Sequence, residues 1–551
     1  MKKAALFLCL LVMAACKQDV LKTTTTGTST VARSPLTSPP DYATVTITNV
    51  NSGKFLEVAG NPTANEKFKD NTLLQQWQLS GSVSAQDNWQ KWHLIYQTTA
   101  GGVRYYQIRN LFSGKLIDVP SGTNVSGTVL QQYASFPLPA DQQLWKLQDL
   151  GGGQYNIVNK GNGLALSVSG GSTANGAQVI QETAASGNKQ RWSIDVIAED
   201  TWRDDAVVRF FFRNSTSQGS AAFDEGTSIP LTWSGNNGKV LWITQDAWDG
   251  SQLQSNSMFN CNDVFRYNNS VLIQPSHTDW SPGNTPNMTI NNSNNGRPLQ
   301  VFNNQPGTDW SWPGPGVEIG DKVYVQCGEG TSLTASNQSL YRLTQSTGTQ
   351  WVAERFQPNG FSGQTTVSYS SGMVKPGDGY VYAFGSEGVG YGYNSYVHVA
   401  RFAESSPFVW QYWSGSAWIS TVTTGAASKV ADGLGTNAIA YVNGKYVQVT
   451  MDQGFNCDAS RNIYMATATS PTGPFSTPVK VYAIQEYFKG QYARYYTPAI
   501  HPEFASGHNE LLVTYCLNFS ACGQASCDGS YLDPYFYRVK GIRVPYSKIG
   551  L

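Results

Sequence analysis

Charge is the scarcest property of this 551-residue chain, with only 13% of its residues Asp, Glu, Lys or Arg. Lys and Arg number 37 and Asp and Glu 37, leaving no net charge. A nucleic-acid binder needs a surplus of cations to neutralise phosphates, so nucleic acid is not an expected partner. Histidine is sparse at 5 residues, and no His/Cys spacing resembles a zinc site. No Gly-rich phosphate loop leads into a helix, which argues against nucleotide use. Long apolar runs are missing as well: Ala4 to Ala15 is too short to span a bilayer as a permanent helix, and no other segment approaches that length. Stretches rich in Glu, Lys and Arg, typical of helices, are not found. What the chain does hold is 54 Gly, 29 Tyr and 16 Trp. Together with its Thr and Val, this composition predicts an all-β, turn-rich protein of about two to four domains.

Lys2 and Lys3 precede the apolar run, which ends in Ala14, Ala15 and Cys16. Charge followed by an apolar stretch is the layout of an export signal. Small residues directly before a cysteine resemble a bacterial lipobox, although Met13 stands where Leu is commoner. The resemblance implies that residues 1–16 are a signal peptide and that lipid is attached at Cys16; the other reading is an ordinary signal with a chance cysteine. Residues 17–40 are dominated by Thr, Ser, Pro and Gly, too little apolar content to fold, and are expected to form a flexible stalk. The expected location is the bacterial cell surface or outer membrane, reached by export and held by lipid. Six cysteines remain beyond Cys16, an even number that suits disulfides in an exported domain, with Cys522 and Cys527 placed to close a short loop.

Three segments then echo one another: ITNVNSGKFLEV from Ile47, IRNLFSGKLIDV from Ile108 and IVNKGNGLALSV from Ile157. Each is followed by Gln-x-Trp, at Gln90 and Trp92, Gln143 and Trp145, and Gln190 and Trp192. Repetition of this kind stacks one supersecondary unit several times, and the alternating apolar pattern around a glycine turn predicts strand hairpins. The three Trp residues are expected to share a core. Residues 41–198 resemble the ricin-B-type β-trefoil lectins. In that family an acid and an aromatic in each repeat hold one sugar, the ring face receiving the pyranose C–H groups. The resemblance implies Asp118 with Tyr133 in the second repeat and Glu57 with Trp77 in the first. In the third, Ser167 and Thr183 occupy those places and are expected to leave the pocket empty. The other reading keeps the trefoil only as a spacer.

Beyond Thr201, short β runs recur, including VVRFFF from Val207, KVLWIT from Lys239, YVYAF from Tyr380 and ELLVTYC from Glu510, separated by turn residues. Residues 199–551 are expected to form a five-bladed β-propeller, with about seventy residues to a blade; two sandwiches are the alternative. The phrases FDEGTSIPL, GKVLWITQDAWDG, WPGPGVEIGDKVYV, GKYVQVTMDQGF and YYTPAIHPEF, in that order, resemble a bacterial family of five-bladed propellers related to endo-D-arabinanases. That resemblance implies acids on the innermost strands, and glycosidic cleavage uses two carboxyls, one as proton donor and one as base or nucleophile. Asp224 and Asp246, the latter ending the strand WIT where it can face the axis, are the leading catalytic candidates, with Asp452, after the strand KYVQVTM, and Glu387, in the loop after YVYAFGS, as further proton donors. Glu225, Asn269, His277, Trp312 and His501 are candidate substrate ligands. Two departures stand out: Pro315 and Asn437 occupy positions where related sequences carry acids.

The reading is a surface lipoprotein whose trefoil binds, and whose propeller hydrolyses, a polysaccharide. Its partners would be a glycan and, through the lipid, the outer membrane, with the chain acting as a monomer. No cofactor is expected; a structural calcium ion on the propeller axis is compatible with this reading, but no ligand pattern calls for it. The rival readings are a non-catalytic glycan-binding protein with a degenerate propeller site and an adhesin that contacts protein.

Overall fold

The computed structural model describes residues 34–36, 38–80, 87–136, 139–211, 220–233, 235–261, 266–282, 293–294, 297–347, 350–390, 394–454, 457, 460–527 and 531–551. The expected export signal, Cys16 and most of the expected stalk lie outside them. Strand Ser34–Pro35 already pairs with Val196 and Asp195, so the folded region begins inside the segment expected to be a stalk. Among the described residues no helix is long and apolar enough to cross a membrane, and helix is confined to short pieces, so the all-β expectation holds.

In the N-terminal region each repeat makes the same hairpin. Phe55–Val58 pairs with Thr72–Trp77, Leu116–Asp118 with Gln131–Tyr133, and Ala165–Val168 with Val179–Glu182. Trp92, Trp145 and Trp192 are fully buried in one core with Ile47, Ile108 and Ile157. A buried indole N–H needs an acceptor, and the three repeats supply it in the same way. The indoles donate to the carbonyls of Leu56, Ile117 and Leu166 at 3.1, 3.2 and 3.0 Å. The Gln-x-Trp tryptophans are therefore structural.

The C-terminal region opens with a correction. The run from Val207, expected as a strand, is part of helix Asp205–Phe210. The Asp204 side chain accepts from the Ala206 and Val207 N–H groups and caps the first turn. Val207 and Phe210, one turn apart, are both buried. Capping and burial outweigh the strand preference of a β-branched, aromatic run.

Among the described residues eight antiparallel sheets follow, and five of them open on strands that pack against one another. The first is Thr227–Pro230, Val240–Thr244 and Ser270–Gln274; the second runs from Trp310–Ile319 to Gln350–Phe356. The third begins with Val367–Val374 and the fourth with Thr436–Val442. The fifth is built on Gln491–His501, Glu510–Ala521 and Val539–Pro545, and is completed by Trp202–Arg203 from the start of the region. The opening strands of the first four sheets pack side by side in order, the fourth packs on Gln491–His501, and that strand returns to Thr227–Pro230. Three of them carry bulges, between Pro313 and Gly316, Ser368 and Gly372, and Tyr496 and Ala499. A bulge bends a strand and re-aims its side chains.

Cys522 and Cys527 do not pair with each other. Cys527 bonds Cys261 and Cys522 bonds Cys457, while Cys327 and Cys516 are free and buried. The loop after Glu510–Ala521 is thereby tied to segments near both the first and the fourth sheet. The two regions are joined by polar contacts: the Tyr42 hydroxyl donates at 2.7 Å to Glu510, which also accepts from the Trp202 indole of its own region at 2.8 Å. Lys115 pairs with Asp205 at 3.0 Å, and the Arg203 guanidinium lies over the Phe68 ring.

Candidate functional site

Strand Ser220–Phe223 pairs antiparallel with Ala247–Asp249, ending at Phe223 opposite Ala247. The next residue along each strand is an acid, so Asp224 and Asp246 face each other across the end of one ladder. Both line a cavity of ≈ 460 Å³ together with Arg266, Trp310, Trp312, Tyr496 and Tyr537. Like charges placed opposite each other across strands repel. Burial first, and then the charge of Asp246, push the Asp224 carboxyl up to about 7, while the Tyr496 and Tyr537 hydroxyls, donating at 2.7 and 2.9 Å, moderate the rise. Asp246 is also raised by burial, but Arg266, 3.2 Å away, and the Trp312 indole, donating at 3.1 Å, favour its charged form. The two carboxyls are thus held differently, Asp224 by two phenol hydroxyls and Asp246 by a guanidinium and an indole that favour charge.

Trp312 also stacks on Trp310, with ring centroids 4.0 Å apart. Gly330, opposite Trp310 in the ladder, makes room for this arrangement: a Cβ there would lie 2.2 Å from the Trp310 ring and from the Thr334 carbonyl oxygen. Trp310 in turn donates its indole N–H to the Ser332 carbonyl at 2.8 Å. Leu333, at the hairpin tip on the cavity wall, is 92% exposed. Among the described residues no group of three or more His, Cys, Asp or Glu side chains is placed to hold a metal ion.

The remaining candidates disperse. Glu225 lines two other cavities, of ≈ 490 and ≈ 310 Å³, shared with Ser370, Ser371 and Pro498 from the opening strands. Pro315 lines the larger and Asn437 the smaller. Asp246, expected at the end of a strand facing the axis, sits in the turn after Val240–Thr244 and lines the cavity beside these two. Glu387, expected in a loop, lies within strand Tyr380–Val389 and is held by His398 at 2.8 Å and the Gly425 N–H at 2.6 Å. Asp452 accepts from the Gly454 and Ser460 N–H groups and from the Tyr495 hydroxyl, binding the turn after its strand. Asn269 spends its amide on Phe302 and Ser311 carbonyls and the Val301 and Phe302 N–H groups. His501 is buried between Ser228 and Thr514, and burial lowers its pKa to about 3, so it stays neutral. His277 is exposed in the loop after Ser270–Gln274. Neither Glu387, Asp452, Asn269, His277 nor His501 lines the Asp224 cavity.

Tyr496, Tyr537, Arg266 and Trp310 were not singled out from the sequence. Trp310 had a signal, because residues two apart on a strand share a face with Trp312. The tyrosines had none, since 272 and 313 residues separate them from Asp224.

In the trefoil, Asp118 accepts from Gln131 and Gln142 at 2.8 and 3.0 Å, and Tyr133 beside it stacks on Phe136. Glu57 accepts from Gln75 and Gln90 at 2.6 and 2.8 Å, and Trp77 on the partner strand is 37% exposed. The third repeat needs a correction. Ala165 pairs with Glu182, as Phe55 pairs with Trp77 and Leu116 with Tyr133. Glu182, not Thr183, therefore takes the aromatic's place, and it accepts from Ser167 at 2.8 Å.

A family model described as ricin-type beta-trefoil lectin domain-like matches residues 36–133, 88–180 and 141–229, stepping along the chain much as the repeats do. The N-terminal region is therefore a carbohydrate-binding lectin module of the ricin-B type. A second model, described as Domain of unknown function (DUF5005), matches residues 205–542. Among solved structures, the designed 3-fold symmetric protein ThreeFoil is similar at 31% identity over 27% of this chain and 96% of that one, with a TM-score of 0.23. An exo-beta-1,3-galactanase from Clostridium thermocellum is 30% identical over 29% of this chain and 31% of that one, with a TM-score of 0.25, so the match spans under a third of the galactanase. A Macrolepiota procera ricin B-like lectin in complex with lactose is 21% identical over 30% of this chain and 99% of that one, with a TM-score of 0.22. No curated protein matches the chain.

Proposed function

The chain belongs to the DUF5005 family, and we propose that it cleaves a glycan in the Asp224 cavity while its lectin module holds the same material. The C-terminal region is read as a five-bladed propeller, a reading supported by five sheets whose opening strands pack in a closed succession. In the proposed reaction Asp224, neutral below about pH 7, protonates the departing glycosidic oxygen. Asp246, whose charged form Arg266 and Trp312 favour, activates water or attacks the sugar itself. Trp312, backed by Trp310, offers its face to a pyranose ring. The observation that carries the proposal is two carboxyls in one open cavity with different partners, Asp224 beside two phenol hydroxyls and Asp246 beside a guanidinium and an indole, a contrast of surroundings that acid–base pairs use.

The trefoil pairs Asp118 with Tyr133 and Glu57 with Trp77 are read as sugar sites that raise the local concentration of substrate. The leader and Cys16 complete the proposal as a lipid-anchored protein of the cell surface, acting as a monomer.

A second reading, glycan binding without cleavage, draws on Pro315 and Asn437. Both line the cavities shared with Glu225, where neither supplies a carboxyl. Purified protein incubated with plant, fungal and bacterial glycans separates the two readings by the new reducing ends it releases. Release that disappears in Asp224→Asn and Asp246→Asn supports cleavage. Glycan retention without release supports the second reading and overturns the first.

A further inference from the structure

Two pairs of consecutive residues form a partition beside the Asp224 cavity. Asp224 and Tyr496 line that cavity, whereas Glu225 and Thr497 line the ≈ 310 Å³ cavity next to it. Both residues that turn toward the smaller cavity have left-handed backbones, with φ of 52° at Glu225 and 46° at Thr497. Such a conformation costs little for glycine but is strained for a residue with a side chain, and more so for a β-branched one. Strain of this kind, found once in the connection after Ser220–Phe223 and once within Gln491–His501 at the same wall, points to a use for the cavity it shapes.

The cavity is built for hydrogen bonding and carries little charge. Among the described residues, Ser368, Ser370, Ser371, Ser386, Ser395 and Thr436 line it, and no Lys or Arg does. The serines are held in a network: Ser368 with Ser370 at 2.9 Å, Ser371 with Ser386 at 2.8 Å, and the Asn437 amide to Ser395 and Ser386 at 2.8 and 3.1 Å. Asn437, a departure from the acid of related sequences, is thus an organiser of hydroxyls here. Among the described residues the Glu225 carboxyl has no hydrogen-bond or ion-pair partner. Burial, and then the charge of Asp224, push it well above the usual carboxylate range, so it rests as a neutral acid able to donate one hydrogen bond and accept others. A site with no cation does not suit an anion, and a neutral acid among hydroxyls matches a ligand that offers hydroxyls in return.

We propose that this cavity is a second binding site, for an uncharged, hydroxyl-rich ring such as a neutral sugar residue, gripped by Glu225 and the surrounding serines. The proposal shares only its class of ligand with the functional reading above and does not depend on cleavage at Asp224.

Crystals of the full protein soaked in turn with glucose, galactose, xylose, arabinose and N-acetylglucosamine test it directly, with glucosamine and glucuronate as charged counterparts. The expected result is a neutral sugar in the cavity with a hydroxyl in hydrogen-bond reach of the Glu225 carboxyl. Water alone in all the neutral soaks, or occupation only by a charged sugar, overturns the proposal. In solution, Glu225→Gly removes the carboxyl and relaxes the backbone. It is expected to raise the melting temperature by about 2 °C or more while weakening calorimetric binding of that sugar at this site about tenfold. Unchanged affinity in this variant also overturns the proposal. Asp224→Asn is expected to keep the sugar in the cavity. Binding that persists where no glycan is ever cleaved would therefore sink the cleavage reading alone.

Discussion

The backbone N–H of Asp224 donates to the carbonyl of Asp246 at 3.2 Å, and the Gln245 N–H returns a bond to the Asp224 carbonyl at 3.0 Å. The two carboxyls are therefore neighbours because their main chains are locked together, and mutual repulsion cannot separate them. That constraint sets the first prediction. Asp224 has a folded-state pKa of about 7, above its unfolded value of about 3.9. Between those values the folded protein keeps a proton that the unfolded chain releases, so stability falls as pH rises through the window and levels off above about pH 7. Asp224→Asn removes this dependence, and its melting temperature should gain on the parent's from about pH 4 to about pH 8 in calorimetry. Glycan cleavage should decline above about pH 7 in the parent. A pH-independent difference in melting temperature would contradict the assignment.

Gly330 and Trp310 provide the second. A methyl at Gly330 collides with the Trp310 ring and with a backbone oxygen at 2.2 Å, and overpacking of that order costs about 1–3 kcal/mol. Gly330→Ala is expected to lower stability by that amount and to displace Trp312 from Asp246, reducing glycan turnover. Indole fluorescence and product release should change together.

The third concerns the buried ion pair at the root of the fifth sheet. Glu486 accepts from Arg203 and, at 2.9 Å, from the Tyr515 hydroxyl, and both charged groups are buried. Glu486→Ala leaves the guanidinium unpaired, and such a loss costs about 3–5 kcal/mol. Arg203→Met with Glu486→Leu should recover most of it, because apolar side chains of similar size carry no stranded charge. Denaturant titration of the three proteins measures the difference.

The disulfides supply the fourth. Cys457 and Cys522 are separated by 65 residues and Cys261 and Cys527 by 266, so each closes a long loop of the unfolded chain. Replacing either pair with serine is expected to cost about 2–5 kcal/mol. Cys261→Ser with Cys527→Ser should affect turnover more, because that bridge packs beside Trp248, Phe519 and Tyr537, the last of which holds Asp224. Parallel losses of activity in the two double variants would contradict this ranking.

Much of the N-terminal region was legible because its signals are local and repeated. Gln-x-Trp occurs three times in order, and each occurrence yields the same buried indole bonded to the same type of carbonyl. The third pocket was misread by one residue, since only strand register reveals that Glu182 faces Ala165. The run at Val207 was misread for a related reason. Its composition favours a strand, but the capping carboxyl of Asp204 and the burial of Val207 and Phe210 decide for a helix. Glu387 and Asp452 were candidate proton donors in the sequence, and the partners that hold them, His398 and Tyr495, come from other strands.

By itself, the sequence established an all-β chain and a threefold repeat, because composition and period are local properties, while its family resemblances implied a lectin module and Asp224 with Asp246 as the acids to examine. Only the tertiary structure decided which groups hold each carboxyl, which cysteines bond, and that Glu225 and Thr497 turn away from the cavity their neighbours line. Burial and contact between distant residues set a pKa, a disulfide and a strained backbone, and no run of adjacent letters records them.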